Sequence, residues 1–538
     1  MPNAKTMYMK NFLLGVAVVL SAMATVVSAQ REPESFRKLR MAAYAIDRFY
    51  VDTVNDTKLA EDAIIGMLKE LDPHSTYMNP EEVKEMNEPL QGNFDGIGVQ
   101  FNMLNDTLFI INTVAGGPSE KVGVLAGDRI IAVNDTAIAG VKMSNNDIMR
   151  RLRGPKGTPV EIEVLRRGVN NPITFRIIRD KIPIYSIDAT YMADSKTGYI
   201  RVSRFGATTS EEFVEALEKL KKEGMQNLIL DLEGNGGGYL NAAIDMANEF
   251  LNAGQLIVYT QGRTQPREEA ISNNNGEMKS GKLIVLVDES SASASEIVSG
   301  AIQDLDRGVI VGRRTFGKGL VQRPIPLPDG SMMRLTVARY YTPSGRSIQK
   351  PYEDGLDNYN RDLINRYNSG ELTNADSIHF PDSLRYKTIN GRTVFGGGGI
   401  MPDFFVPLDT TRYTDAHRDI VAKGILNQYV INYFDQHQKE LKEKYADFNA
   451  FDKGFSVTPE MLANLKADAE KEEIKINPEQ FEKSTPLIKL QIKALVARDL
   501  FTVSDYFRVM NQQSDSYRKA LELINDDARY KKLLGTSR

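Results

Sequence analysis

Apolar positions along the chain change period several times, and each change marks an element. Leu39, Ala42, Ala43, Ile46, Phe49 and Tyr50 share one helical face, as do Ala60, Ala63, Ile64, Met67 and Leu68 before Leu71-Asp72-Pro73-His74-Ser75 breaks the pattern. Strand signals follow. Phe94 to Val99 opens one, Gly127-Asp128 turns into Arg129 to Asn134, and Val160 to Leu165 alternates. Thr197 to Val202 predicts a strand, Thr209-Ser210-Glu211-Glu212 caps a helix through Phe213, Ala216, Leu217 and Leu220, and Leu228 to Leu232 is a buried strand. The apolar run Leu283 to Val287 ends in Ser290, Ser291, Ser293 and Ser295. Ile297, Val298, Ala301, Ile302 and Leu305 then return at helical spacing, and Val309 to Val311 forms another short strand. Beyond about residue 410, Ile420, Ile425, Tyr429, Ile431, Phe434, Met461, Leu462, Leu465 and Leu487 to Leu495 predict charged-faced helices. Strands alternating with helices over 184–410 predict an α/β core.

Length and charge refine this picture. At 538 residues, with formal charge −4, 41% hydrophobic and 26% charged residues, the chain holds three or four domains' worth of sequence. The acidic balance and the lack of a Lys/Arg-rich run argue against nucleic acid as a partner. Residues 1–29 read as a secretory signal: Lys5 and Lys10, an apolar run from Phe12 to Val27, and small residues at Val27-Ser28-Ala29. The expectation is an exported, periplasmic protein, with an uncleaved N-terminal anchor to the membrane as the alternative.

Candidate chemistry concentrates between Leu283 and Gln322. A serine at a helix start stands beside unpaired backbone N–H groups and the positive end of the helix dipole, where an oxyanion can be held. With no Cys, thiol catalysis, Cys-ligated zinc and disulfides are excluded. Of the four histidines, His74, His379, His417 and His437, none has a neighbourhood resembling a catalytic loop, although sequence distance alone does not exclude a triad. Lysine is the other candidate base, because burial lowers an amine's pKa. Gly317-Lys318-Gly319 supplies one.

The segments SASASEI and TFGKGLVQ, with Ser293 and Lys318 at matching spacing, resemble the carboxyl-terminal processing proteases, a family of serine–lysine endopeptidases. The resemblance implies Ser293 as nucleophile, Lys318 as general base and Gln322 as the residue positioning the lysine, with no cofactor and no metal. It implies oxyanion donors at Ala294 and, from the segment matching DLRxNxGG, at Gly237; Glu233 stands where the family usually has arginine, and Gly236 where proline is common. ArgTyrTyrThrProSerGlyArgSerIle at 339–348 and Gly396 to Asp403 also fit. Residues 93–183 resemble a PDZ domain, whose Gly96-Ile97-Gly98 loop the resemblance assigns to a bound tail's carboxylate; two glycines allow close backbone approach to an anion.

The expected fold is therefore multidomain α/β: a crotonase-like protease core at 184–410 with an inserted PDZ-like β-rich domain at 93–183, an N-terminal helical cap at 30–92 and a C-terminal helical domain at 411–538. Expected partners are protein substrates held by their C-terminal tails. The C-terminal helices would offer a surface to another subunit or an adaptor, and the alternative function is a catalytically silent PDZ-bearing adaptor or assembly protein of the envelope. Three weaker signals read otherwise. Gly312-x4-Gly317-Lys318 imitates a P-loop but continues with Gly319 rather than Ser/Thr. Ser35-Phe36-Arg37-Lys38 matches SxxK on what reads as an exposed helix face. LDPHS reads as part of a packing cap, with His74 structural.

Overall fold

A computed structural model describes residues 33–536 except 105 and 274; the leader expected at 1–29 lies outside the described residues. The chain divides into two units, Met1–Leu71 and Asp72–Arg538. In the first, helices Glu34–Phe49 and Asp56–Lys69 form as the periodicity predicts, and Asn55 caps the second by accepting from the Lys58 N–H. The SxxK residues lie in the exposed first helix, as expected.

The second unit is built on a six-stranded sheet. Its order is Ile187–Met192, Thr197–Val202, Asn227–Asp231, Leu283–Val287, Val309–Gly312 and Phe404–Phe405, parallel after the first antiparallel pair. Leu283–Val287 is central and buried at every position, which is why it reads as a continuous β-branched and leucine run rather than as alternation. Successive side chains still take opposite faces. Leu283, Val285 and Val287 pack with Phe213, Leu217, Met246, Ile297 and Val298 from helices Thr209–Lys222, Leu240–Asn248 and Ala294–Asp304. Ile284 and Leu286 face Tyr517, Ala520, Leu523, Ile524 and Tyr530 from helices Asp515–Asn525 and Asp527–Leu533. The sheet's second helical layer thus comes from the far end of the chain, and a split at residue 411 separates in sequence what the fold unites.

A second, antiparallel sheet contains Leu256–Gln261, Glu268–Ile271, Leu320–Pro326, Met332–Tyr341 and Thr76–Met78. The last of these is a finding against expectation: residues 30–92 read as helical, yet Thr76–Met78 pairs with Met332–Arg334. Three residues are too few to show a period.

The PDZ-like module enters and leaves the core through one antiparallel ladder, Asn93–Gly96 with Asp180–Pro183. Its own sheet closes over Leu108, Ile110, Ile130, Val160, Ile162 and Ile177. Helices from Asp415 to Met510 form a separate core around Tyr429, Phe434, Phe451, Leu465 and Ile488. Ile431 and Asp435 of that layer reach the module, Ile431 packing on Phe109 and Asp435 pairing with Arg129 at 2.7 Å.

Leu523→Ala, removing a fully buried side chain from the distal helical layer, is expected to lower unfolding stability by about 2–5 kcal/mol, read as a lower denaturant midpoint.

Candidate active site

The loop after Leu283–Val287 is shaped by its own serines. Asp288 Oδ1 accepts from the N–H groups of Ser290, Ser291 and Gly234 at 3.0 Å each, and Ser291 Oγ donates to the Leu232 carbonyl. Ser295 Oγ and the Ala292 N–H both donate to the Asn235 carbonyl. The serine loop is therefore sewn to the glycine loop 233–238, and Ser291 and Ser295 are structural. Ser293 differs. Its φ of 55° and ψ of −111° are strained for a residue with a Cβ, and its side chain lines a cleft of about 950 Å³.

Lys318 lines the same cleft, with Gly237, Ala294, Gln322, Arg334 and Tyr340. No hydrogen bond joins Ser293 Oγ to Lys318 Nζ among the described residues; what joins the two residues is their backbones. The buried Glu296 carboxylate accepts from the Ser293 N–H (2.8 Å), the Lys318 N–H (2.9 Å), the Gly317 N–H (2.8 Å) and Thr315 Oγ1 (2.5 Å). From the other side, the Tyr340 hydroxyl lies between the Ser293 carbonyl, at 3.1 Å, and the Lys318 carbonyl. Gly317 takes φ +88°, and a Cβ there would stand 3.0 Å from the Gly399 N, so only glycine brings both amides onto Glu296. That use of the Gly317 and Lys318 amides also explains why the P-loop-like spacing forms no phosphate cradle.

Burial sets the electrostatics. It pushes the Glu296 carboxyl up to about 7, against the four hydrogen bonds that favour its ionised form. The Lys318 amine is brought down to about 8, first by burial and then by the Arg334 guanidinium, while Glu296 and Asp72 oppose the shift. An amine in that range is partly neutral near neutral pH and can accept a proton. None of the four histidines lines the cleft. His74 stands closest electrostatically: burial, then Lys318, pushes its pKa down to about 4, and its Nε2 lies 2.8 Å from the Tyr359 hydroxyl.

The two expected oxyanion donors fare differently. The Ala294 N–H, in the first helical turn, has no acceptor among the described residues, as an orphan N-terminal amide should. Gly237 abuts it closely: a Cβ on Gly237 would lie 2.8 Å from Ser293 Cβ and 3.0 Å from the Ala294 N. Yet the Gly237 N–H donates to Asn235 Oδ1 at 2.9 Å, so in this conformation the amide is engaged within its own loop. Glu233 does not add charge to the cleft. It lines a separate cavity of about 270 Å³ with Arg201 and Arg313, and burial, then Asp231 and Asp288, pushes it up to about 8.

In the PDZ-like module, Ile97 is a core side chain, and its carbonyl accepts from Ser119 N–H and Oγ. The Gly98 carbonyl accepts from the Val114 N–H. Trans peptides turn the Gly98 and Val99 N–H groups away from those partners. Among the described residues, the adjoining strand Val99–Leu104 ends its sheet and pairs with one strand, leaving an edge that an extended peptide can extend.

Glu296 and Arg334 went unremarked in the sequence, and the Asp72–Ser75 turn was read only as packing. Glu296 was legible as the acidic residue of a Ser-x-x-Glu capping box. Arg334 and the Asp72–Ser75 turn carried no local signal for the cleft, whereas Tyr340 lay in the matching 339–348 segment. The turn's contacts run to Thr336, more than 260 residues away in sequence.

Residues 196–357 match peptidase family S41, and 96–177 match the PDZ domain family. Residues 5–82 match the N-terminal domain of the activating protease CtpB, and 416–502 match a family of unknown function. A carboxy-terminal-processing protease of Bartonella bacilliformis is 38% identical over 348 residues, 63% of this chain and 79% of that protein. The carboxy-terminal processing protease CtpA of Bacillus subtilis is 37% identical over 325 residues, 60% of this chain and 68% of that protein. The solved photosystem II D1 C-terminal processing protease is 32% identical, covering 57% of this chain and 89% of that one, with a TM-score of 0.33. The chain belongs to the carboxy-terminal processing protease family and is a peptidase.

Two outcomes follow. Glu296→Gln keeps the shape but puts an NH₂ where N–H groups must be accepted, and should lower kcat on the order of 100-fold by displacing both backbones. Arg334→Gln removes the cation facing Lys318, so the pKa of the Lys318 amine should rise, read by its titration against pH.

Proposed function

We propose that the chain is an exported serine endopeptidase that grips substrates by their C-terminal tails and cuts them through an acyl-enzyme on Ser293. The observation that carries this reading is the joint anchoring of Ser293 and Lys318 by Glu296 and Tyr340 at one cleft. Neutral Lys318 takes the Ser293 proton as Oγ attacks the scissile carbonyl carbon. The Ala294 N–H faces the resulting oxyanion. Collapse breaks the C–N bond, and the leaving amine takes the proton from Lys318. Water, deprotonated by Lys318, then attacks the ester and releases the new carboxyl terminus with Ser293 restored. Gln322 orients the lysine. Outward N–H groups of the Gly96–Gly98 loop would receive the tail's carboxylate, with the tail laid along Val99–Leu104. The leader-like residues 1–29 support export to a periplasm.

A second reading, a catalytically silent adaptor, is favoured by one observation: the Gly237 N–H is engaged by Asn235, which leaves the oxyanion site with one open donor. Incubating the mature chain with a disordered, C-terminally tagged substrate and mapping the cuts separates the two. The peptidase reading expects cleavage that Ser293→Ala and Lys318→Ala each reduce by about 1,000-fold or more, with tail binding retained. Binding without cleavage by the unaltered chain would establish the adaptor. Cleavage should also rise with pH through about 8, as Lys318 loses its proton; a profile favouring acid would overturn lysine as the base.

A further inference from the structure

The turn Asp72-Pro73-His74-Ser75 packs against the strand that carries Arg334, Thr336 and Tyr340. Asp72 is buried, and both its carboxylate oxygens accept hydrogen bonds. Oδ1 accepts from the His74 N–H at 2.8 Å, the Ser75 N–H at 3.0 Å and Thr336 Oγ1 at 3.0 Å; Oδ2 accepts from Ser75 Oγ at 2.6 Å. Ser75 Oγ in turn accepts from the Thr336 N–H at 3.1 Å. The Thr336 hydroxyl has one proton, and it goes to Asp72. Its lone pairs therefore face the other way, where Gln322 Nε2 donates at 3.3 Å. Gln322 sits at a bulge in its strand, where the pairing shifts between Val321 and Gln322, so the ladder alone does not fix its side chain.

We propose that Asp72 is a positioning residue of the cleft: through Thr336 it fixes which end of the Gln322 amide faces Lys318, and it holds a carboxylate opposite the lysine amine. With Nε2 anchored on Thr336, Oε1 becomes the end that accepts a hydrogen from the amine. An apolar residue in place of Asp72 would free the threonine hydroxyl, and Asn would set an NH₂ where one oxygen now accepts; either loosens the hold on the Gln322 amide. The groups facing Lys318 come from three elements: Arg334 from its strand, Glu296 from the buried helix, and Asp72 with His74 from this turn. Asp72 and Glu296 favour the ammonium form and Arg334 disfavours it, so the two effects on the base can be read separately.

The proposal rests on Lys318 acting as base, and the test separates the two ideas. kcat and KM are measured against pH with the disordered tagged substrate for the unaltered mature chain and for Asp72→Asn, Thr336→Val, Thr336→Ser, Ser293→Ala and Lys318→Ala. Asp72→Asn should lower kcat on the order of 10-fold with KM held, and move the acid limb to lower pH, since removing the carboxylate makes the ammonium less favourable. Thr336→Val should lower kcat to a similar degree without moving the limb, and Thr336→Ser should restore it. An Asp72→Asn variant with unaltered kcat and limb overturns the proposal. So does a loss of kcat accompanied by a lower melting temperature and an unmoved limb, which marks a merely structural turn. Should Asp72→Asn fail to fold, the threonine pair decides: full activity in Thr336→Val overturns the relay. Unimpaired cleavage by Ser293→Ala or Lys318→Ala would sink the serine–lysine reading and this proposal with it; inactive Ser293→Ala and Lys318→Ala beside a normal Asp72→Asn sinks the proposal alone.

Discussion

One buried carboxylate holds the cleft together. Glu296 gathers the amides of Ser293, Gly317 and Lys318, so a helix start and a loop that belong to different elements are fixed to one point. Tyr340 closes the other side on the carbonyls of the same two residues. Burial makes ionising a carboxyl in so dry a place costly, and four donors offset part of that cost. The arrangement explains the strained backbone at Ser293. The Glu296 hydrogen bond to its N–H and the tyrosine on its carbonyl hold a conformation that an isolated chain would leave.

The charge state of Lys318 is a balance rather than a consequence of burial alone. Arg334 pushes against the ammonium, Asp72 and Glu296 draw toward it, and burial decides the outcome. A site so poised lets small changes in one neighbour shift the charge of the amine without moving it. The departure at Glu233 leaves this balance alone, because that side chain turns to a different cavity.

Much of this was readable beforehand, and the reasons for the rest are specific. The buried strand Leu283–Val287 and the helix at Ser293 announced themselves by period, and the fold agrees with the expected α/β core and PDZ-like insertion. Ser293, Lys318, Gln322, Ala294 and Gly237 do meet at one cleft. What composition and period could not convey is which partner each polar group takes. The Gly237 amide turns to Asn235 because a side-chain acceptor two residues away competes with any ligand. Asp72 and Thr336 are neighbours only through sheet pairing, and Thr76–Met78 is too short to reveal its strand. The Asp72–Ser75 turn, read as packing, does pack: Asp72 and Ser75 hydrogen-bond to Thr336.

The helices Asp515–Asn525 and Asp527–Leu533 cover the half of the central sheet that bears Ile284 and Leu286. Those strands leave the ribosome more than two hundred residues before their cover does. A nascent chain therefore carries one face of the central sheet uncovered until those helices emerge.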